Sequence, residues 1–384
     1  MRELRVGIIG FGMIGKVHAF GYRAFPFYTR GLKIKPRITM VATSRRESAA
    51  AAAEMLDCQG VTDWRAVTEN PDIDAVHICT PNRLHAEPLL SAIEHQKFIY
   101  CDKPLVSSPR ELESVKTALA RTGPQGNPQY NRTNMMTFHL RFIPALIKAK
   151  QLIGEGKIGR VFQYRAAYQH ASAADSGVPF KWKNDTGGGA IRDLGSHLAD
   201  LISWLIAMPD EVLTETQTAH PFRIDPATGR AREVKAEDAF VMLTRTALPA
   251  GGGLCCGMIT GTKLATGCED EMHLEIYGEK GALRFSLMDA HYLDYYNAKA
   301  ACGWTRLAAG ARYSEPHTDF PSPKSVAGWT RAHAACLAQF LACIEKGVPA
   351  EPSLKQGVKV QEFLIAAENS AREGRWTKCR PSAL

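Results

Sequence analysis

The run Arg5-Val6-Gly7-Ile8-Ile9-Gly10-Phe11-Gly12-Met13-Ile14-Gly15 decides the fold. Its first half is a short apolar strand, and a helical pattern follows from Lys16. Glycine is common enough that G-x-G-x-x-G alone says little; placed between a strand and a helix it reads as a dinucleotide-phosphate loop. Gly10 then permits the tight turn, Gly12 lets backbone approach a pyrophosphate, and Gly15 lets the helix pack on the strand. Phe11, Met13 and Ile14 fill the remaining positions, and the helix N-terminus offers unpaired N–H groups to phosphate oxygens. Glycines also interrupt the run too often for a signal peptide, and no small-x-small cleavage site follows closely.

Working outward, the spacing predicts strands at Ile38–Ala42, Asp74–Cys79 and Lys97–Cys101, with helices over Glu47–Leu56 and Leu84–His95. Strands alternating with helices at this spacing mean βαβ units and a parallel sheet. The strands are apolar throughout, as expected when helices cover both faces. Arg121–Arg132 reads as a loop and Thr133–Phe138 as a sixth strand. Past it the character changes. A helix over Phe142–Ile153 precedes alternating strands at Arg160–Gln169, Ala239–Thr246, Gly257–Thr262, Met272–Tyr277 and Ala282–Leu287, and helices close the chain at Ala332–Lys346 and Gln356–Gly374. The expected fold class is α/β. A Rossmann domain over residues 1–133 precedes an α+β domain over 134–384 with a large, mostly antiparallel open sheet.

The 384 residues are 45% hydrophobic and 22% charged, which excludes disorder as the main state. The uncharged stretch Thr246–Thr262 is broken by glycines and a proline, so no membrane span is expected. The net charge of +8 is dispersed, with no basic arm or finger, so an anionic cofactor or substrate is a better expectation than nucleic acid. Ten cysteines without a C-x-x-C suit buried thiols in a reducing, cytoplasmic setting. No His, Asp or Glu cluster has metal-ligand spacing, and no metal is expected.

An Asp or Glu at the end of the second strand would bind the ribose 2′-OH of NAD and repel a 2′-phosphate. Here Ser44, Arg45 and Arg46 stand there instead, and guanidinium groups suit a dianionic phosphate. NADP(H) is therefore favoured, with NAD(H) possible. The alternative is that the arginine pair is solvated surface and the adenosine binds without discrimination.

Asp193 and His197 stand four residues apart after the triplet Gly187-Gly188-Gly189. On an α-helix they share a stripe with Asp200 and Trp204, beside an apolar stripe at 191, 194, 198, 201 and 205. Such a pair serves as a cap, a salt link or a satisfied core histidine as well as in catalysis, and spacing alone does not choose. Asp102-Lys103-Pro104 adds a lysine at the C-terminal edge of the parallel sheet, where ligands of such sheets bind.

Gly10–Gly15, Thr80-Pro81-Asn82 with His85, Asp102-Lys103-Pro104 and Gly187–His197 together resemble the glucose–fructose oxidoreductase, inositol dehydrogenase and MocA family. The likeness continues through His139-Leu140-Arg141-Phe142-x-Pro144, Ile158-Gly159-Arg160-Val161, Glu237-Asp238 and Gly278-x-Lys280-Gly281. It implies hydride transfer between a nicotinamide and a secondary alcohol of a sugar, anhydrosugar or cyclitol, and a dimer or tetramer built through the second sheet. It maps the family's catalytic lysine, aspartate and histidine onto Lys103, Asp193 and His197, with Asp193 orienting His197 or binding a neighbouring hydroxyl. Thr80, Pro81, Asn82, His85, Asp102, Lys103, Trp182 and Lys183 are expected at the cofactor, and Tyr168, His170 and Lys183 in the substrate pocket. Two departures stand out: the common Glu-Lys-Pro is Asp102-Lys103-Pro104, and the common Trp-Arg is Trp182-Lys183, which loses the bidentate fork. Reduction of a non-sugar carbonyl or dihydrodiol, NAD-dependent glycoside cleavage and nucleotide-sensing regulation share the fold and remain alternatives. His18 is expected to pack rather than react.

Overall fold

The structure, a computed structural model, describes residues 2–121, 132–185, 187–248, 253–300 and 303–379, and the side chains of Arg2 and Trp182 lie outside the described part. Most of the loop read at Arg121–Arg132 also falls outside it.

Six strands, β1 (Arg2–Ile9), β2 (Ile34–Ala42), β3 (Gln59–Val61), β4 (Ala75–Ile78), β5 (Phe98–Cys101) and β6 (Asn134–Met136), form a first sheet in the order β3-β2-β1-β4-β5-β6. Every pairing in it is parallel. The order reverses between β1 and β4, the switch point at which doubly wound sheets bind dinucleotides. Helices α1 (Met13–Tyr28), α2 (Arg46–Leu56), α3 (Arg65–Thr68), α4 (Ala86–Glu94) and α5 (Pro109–Ala120) cover it. Helix α5 starts where Ser108 and Glu111 cap each other reciprocally and Pro109 takes the first helical position.

The second half carries α6 (Pro144–Gly154), β7 (Val161–Gln169), α7 (Ser196–Leu205), β8 (Glu211–Gln217), the small pair β9 (Phe222–Ile224) and β10 (Ala231–Glu233), then β11 (Ala239–Ala247), β12 (Leu254–Thr262), β13 (Glu271–Gly278), β14 (Gly281–Ser286), β15 (Tyr292–Asn297) and β16 (Trp304–Ala308). Helices α8 (Trp329–Lys346) and α9 (Leu354–Glu373) and the short β17 (Thr377–Lys378) close the chain. The large sheet runs β16-β15-β14-β13-β7-β12-β11-β8-β17, antiparallel except where β7 and β12 pair in parallel. Strand periodicity found its central members. It missed β8, β15 and β16, which are half exposed and mix charge with apolar residues.

Two features bear on the division near residue 133. Strand β6 begins at Asn134 and completes the first sheet. Helix α8 returns to pack on α1, with Leu337, Phe340 and Leu341 joining Leu4, Val6, Ile8 and Tyr100 in one core. The other face of the first sheet and the inner face of the second share a continuous core through Ile78, Leu140, Tyr164, Leu198 and Leu364.

An ion pair locks the junction. Arg141, in the turn after β6, donates from Nε to Asp200 Oδ2 at 2.7 Å and from Nη2 to Oδ1 at 2.5 Å, and Gln356 of α9 adds a bond of 3.0 Å to Oδ1. Both charges are buried. Asp200, which the α-helical stripe set beside Asp193 and His197, is thus a structural partner of Arg141. Asp200→Ala leaves a buried guanidinium without its counter-charge. We expect it to cost about 3–5 kcal/mol, measured as a lower urea midpoint with an unchanged slope.

Candidate active site

At the end of β1, Gly10 adopts φ +90, and a Cβ there would lie 2.8 Å from the Cys79–Thr80 backbone. A Cβ on Gly15 would sit 2.3 Å from the Gly10 carbonyl oxygen, so the helix can start this close only without a side chain. Around Gly12, by contrast, the space a Cβ would fill is open. This loop borders a cavity of about 540 Å³ lined also by Phe11, Ser44, Arg45, Ser48, Thr80 and Pro81. A second cavity, of about 320 Å³, shares Gly12, Thr80 and Pro81 and continues past Met13, Ile14 and Asn82 to Asp102, Lys103, Lys183 and Asp193. An open glycine cradle at a helix start, leading to a lysine at the sheet edge, fits a dinucleotide with its phosphates at Gly12.

At the inner end, Lys103 Nζ donates to the Asp193 carbonyl oxygen at 2.8 Å and to Oδ1 at 3.0 Å. Lys183 Nζ donates to Oδ2 at 2.8 Å, and Lys263 Nζ lies 3.3 Å from the same oxygen. Burial alone would raise the Asp193 carboxyl, but these three ammonium groups hold it well below the usual carboxylate range. Burial, with Lys103 next, keeps the His197 imidazole well below its ordinary value, so it is neutral at pH 7. Tyr168 packs 5.8 Å from His197 between ring centres, and burial with Asp270 nearby raises its phenol. His170 is lowered by burial, and its Nδ1 accepts from the Ser172 N–H at 3.3 Å. The structure therefore gathers Lys103, Lys183 and Asp193 at the inner cavity and packs Tyr168 against His197, while Tyr168, His170 and His197 are not among the residues lining that cavity.

The structure departs from the sequence reading at several residues. Ile191–Gly195 is a π-helical turn, and α-helix begins only at Ser196. The wider turn takes Asp193 off the line of His197, and among the described residues no hydrogen bond joins them; both Asp193 oxygens go to lysines. The turn is pinned from three sides, by Glu237 accepting from the Ile191 N–H at 2.7 Å, by Arg192 paired with Glu368, and by the lysines on Asp193. Gly189 at φ +92 leaves room for the Glu237 carboxyl, which a Cβ would meet at 2.3 Å. Burial pushes that carboxyl up to about 6. His85, expected at the cofactor, lies fully buried beneath the cavities. Its Nε2 is 2.7 Å from the Thr80 carbonyl oxygen and its Nδ1 3.1 Å from that of Pro104, so it braces the two loops that line them. Asn82 spends its amide on the Gly187 carbonyl at 2.6 Å. Arg46 opens α2 and is not among the residues lining the larger cavity, whereas Ser44 and Arg45 are. The Trp182 side chain lies outside the described residues.

Sequence reasoning missed Lys263 and two histidines. Lys263 directly follows β12, and the one available signal was a charge closing a glycine-rich apolar strand. His333 stacks on His139 with ring centres 3.9 Å apart, and His139 meets His197 edge-on at 5.1 Å. His18 lies 6.5 Å from His333 and 5.1 Å from His77, so a row of buried imidazoles runs from His197 back under the first sheet. Burial lowers all five, His18 to about 4.

That row makes a prediction about acid. An unfolded chain protonates these histidines near their ordinary value of about 6.5, while the folded chain holds them neutral. Their contribution is complete above that value and is lost as pH falls toward their folded values. Each steepens the fall by up to about 1.4 kcal/mol per pH unit. Urea unfolding at pH 7.5, 6.0 and 5.0 should show stability collapsing over the last step, and His333→Phe should flatten that slope.

Comparison with known proteins agrees with this geometry. Residues 4–127 match the oxidoreductase family with an NAD-binding Rossmann fold, and residues 146–284 match the GFO/IDH/MocA C-terminal domain. Levoglucosan dehydrogenase of Pseudarthrobacter phenanthrenivorans is 28% identical, with 98% of each chain covered. Inositol 2-dehydrogenase of Rhizobium meliloti is 27% identical over 97% of this chain and 98% of its own. The solved structure of levoglucosan dehydrogenase in complex with NADH and L-sorbose superimposes with a TM-score of 0.90 at 28% identity, covering 100% of both chains. With both halves matched and the switch-point cavity in place, the chain belongs to the GFO/IDH/MocA oxidoreductase family.

Proposed function

We propose that this chain oxidises a secondary alcohol of a sugar, anhydrosugar or cyclitol, with a nicotinamide dinucleotide as hydride acceptor. The observation that carries this reading is the pair of cavities sharing Gly12, Thr80 and Pro81, which lead from the glycine loop to Lys103 and Asp193. The sugar and cyclitol dehydrogenases it resembles along their full length support the substrate class.

The bound nicotinamide supplies the redox step. The chain's own residues manage the proton and the oxygen. Lys103, held by Asp193, hydrogen-bonds the carbinol oxygen and stabilises negative charge developing there. His197, neutral in its buried setting, takes the proton as general base. Asp193 fixes Lys103 and Lys183, while Tyr168 and His170 border the sugar. Lys103→Ala or His197→Ala should lower turnover roughly 10²–10⁴-fold in initial rates over a panel of pyranoses, anhydrosugars and inositols. Near-normal turnover by a folded variant would remove that residue from the mechanism.

Ser44 and Arg45 on the cavity wall support a cofactor with a 2′-phosphate. We favour NADP(H) over NAD(H). Arg45→Ala should raise KM for NADP roughly 10- to 100-fold, the worth of one hydrogen bond to a charged group, and leave KM for NAD nearly unchanged. A wild-type preference for NAD would reverse the assignment.

The outer face of the second sheet offers the contact between copies. Val241 and Leu243 of β11 point outward, 48% and 45% exposed, beside Thr260 and Met258 of β12. We place a homodimer or homotetramer interface there, and Leu243→Asp should shift light-scattering mass toward the monomer. The nine described cysteines are all free, which supports work in the reducing cytoplasm.

A further inference from the structure

The far end of the imidazole row has no part in the reaction above. His18 sits in α1, His77 within β4, and Cys79 just after it, and all three are buried. His77 Nδ1 and Cys79 Sγ each lie 3.1 Å from His18 Nδ1, and all three donor atoms fall within 4.8 Å of one another. We propose that His18, His77 and Cys79 bind a thiophilic transition-metal ion, zinc(II) by preference, beneath the loop that lines the nucleotide cavity.

Hydrogen-bond accounting supports this. Tyr22 Oη is 2.6 Å from His77 Nε2. If the phenol donates, His77 carries its proton on Nδ1 and points it at His18 Nδ1. The single in-plane lone pair of that nitrogen must then serve both His77 and the Cys79 thiol. His18 Nε2, buried and without a hydrogen-bond partner among the described residues, carries the remaining proton. The opposite tautomer makes His77 Nε2 the donor to Tyr22 and leaves His18 Nε2 a lone pair with no donor. Either way three donor atoms crowd one point and a buried nitrogen goes unmatched, an arrangement costly in a core. A cation at that point would use three lone pairs at once.

Size and charge agree. Zinc bonds of about 2.0–2.1 Å to imidazole and 2.3 Å to thiolate put tetrahedral neighbours about 3.3–3.6 Å apart. Two of the three separations, 3.1 Å each, therefore need to open by only a few tenths of an ångström, and the third lies within 4.8 Å. Burial already keeps both imidazoles neutral, as ligands must be. The Cys79 thiol is pushed up by burial and by Asp102, so it loses its proton to solvent only as the ion binds. A divalent ion, the resulting thiolate and the Asp102 carboxylate then sum to zero charge. Two imidazoles and a thiolate are a soft donor set that selects zinc, cobalt or copper over magnesium or calcium. The expectation of no metal rested on spacing along the chain, and residues 18, 77 and 79 show none because the β1–α1–β4 crossover alone brings them together.

This inference does not rest on the dehydrogenase reading. The test uses full-length chain without a histidine tag, stripped by chelator, dialysed and titrated with cobalt(II). We expect about one ion per chain, a thiolate-to-cobalt charge-transfer band and release of about one proton. His77→Gln and Cys79→Ser should each abolish tight binding, the second with loss of the charge-transfer band. X-ray absorption on the wild type, which does not depend on the variants folding, should show one sulfur and two imidazole nitrogens around the ion. Substoichiometric cobalt, a shell without sulfur, or equal binding by folded variants would overturn the site and leave a hydrogen-bonded neutral cluster.

Discussion

One partly buried carboxylate holds the two halves of this protein in register. Asp193 lies in a π turn of the second half and collects Lys103 from the end of β5, Lys183 from the loop before the glycine triplet, and Lys263 from the end of β12. An isolated carboxylate in that position would be expensive, and so would three clustered ammonium groups. Each satisfies the other only if both sheets present their strand ends at the same place. The pinned turn, the Arg192–Glu368 pair and the Arg141–Asp200 lock all serve that alignment.

The same cluster sets the electrostatic conditions for the proposed chemistry. Three positive charges on one negative charge leave the site electropositive, which suits an oxygen that gains negative charge as hydride departs. They also oppose protonation of His197, so the imidazole stays available as a base. Behind it, His139 and His333 continue a column of buried, neutral rings. A fold that holds so many histidines neutral loses stability as pH falls below the value at which free imidazole titrates. The acid sensitivity of the structure and the readiness of its base have one cause.

Much of this was legible along the chain, for local reasons. Gly10, Gly12 and Gly15 act through backbone conformation and close approach within one turn, and apolar strands alternating with helices imply the parallel sheet. Lys103 was readable because a strand end is a place in the fold as well as in the sequence. Asp193 and His197 were found as residues but misjudged in relation. Periodicity assumes 3.6 residues per turn, and no pattern in Ile191–Gly195 announces a wider one.

What the chain order could not show is whatever depends on distant segments meeting. Lys263 joins Asp193 from 70 residues downstream. His333 reaches His139 because α8 folds back across the first sheet, and Asp200, which shares a helical stripe with His197, is taken up by Arg141. His85 has a loop-bracing place that only the two carbonyl oxygens around it reveal. The sequence by itself determined the Rossmann half and the place of its phosphate loop, because backbone sterics and hydrophobic periodicity act over a few residues, and its resemblance to a known family singled out Lys103, Asp193 and His197. Tertiary structure alone decided which charges balance, which histidines are buried and which atoms face one another, because those depend on packing between elements far apart in the chain.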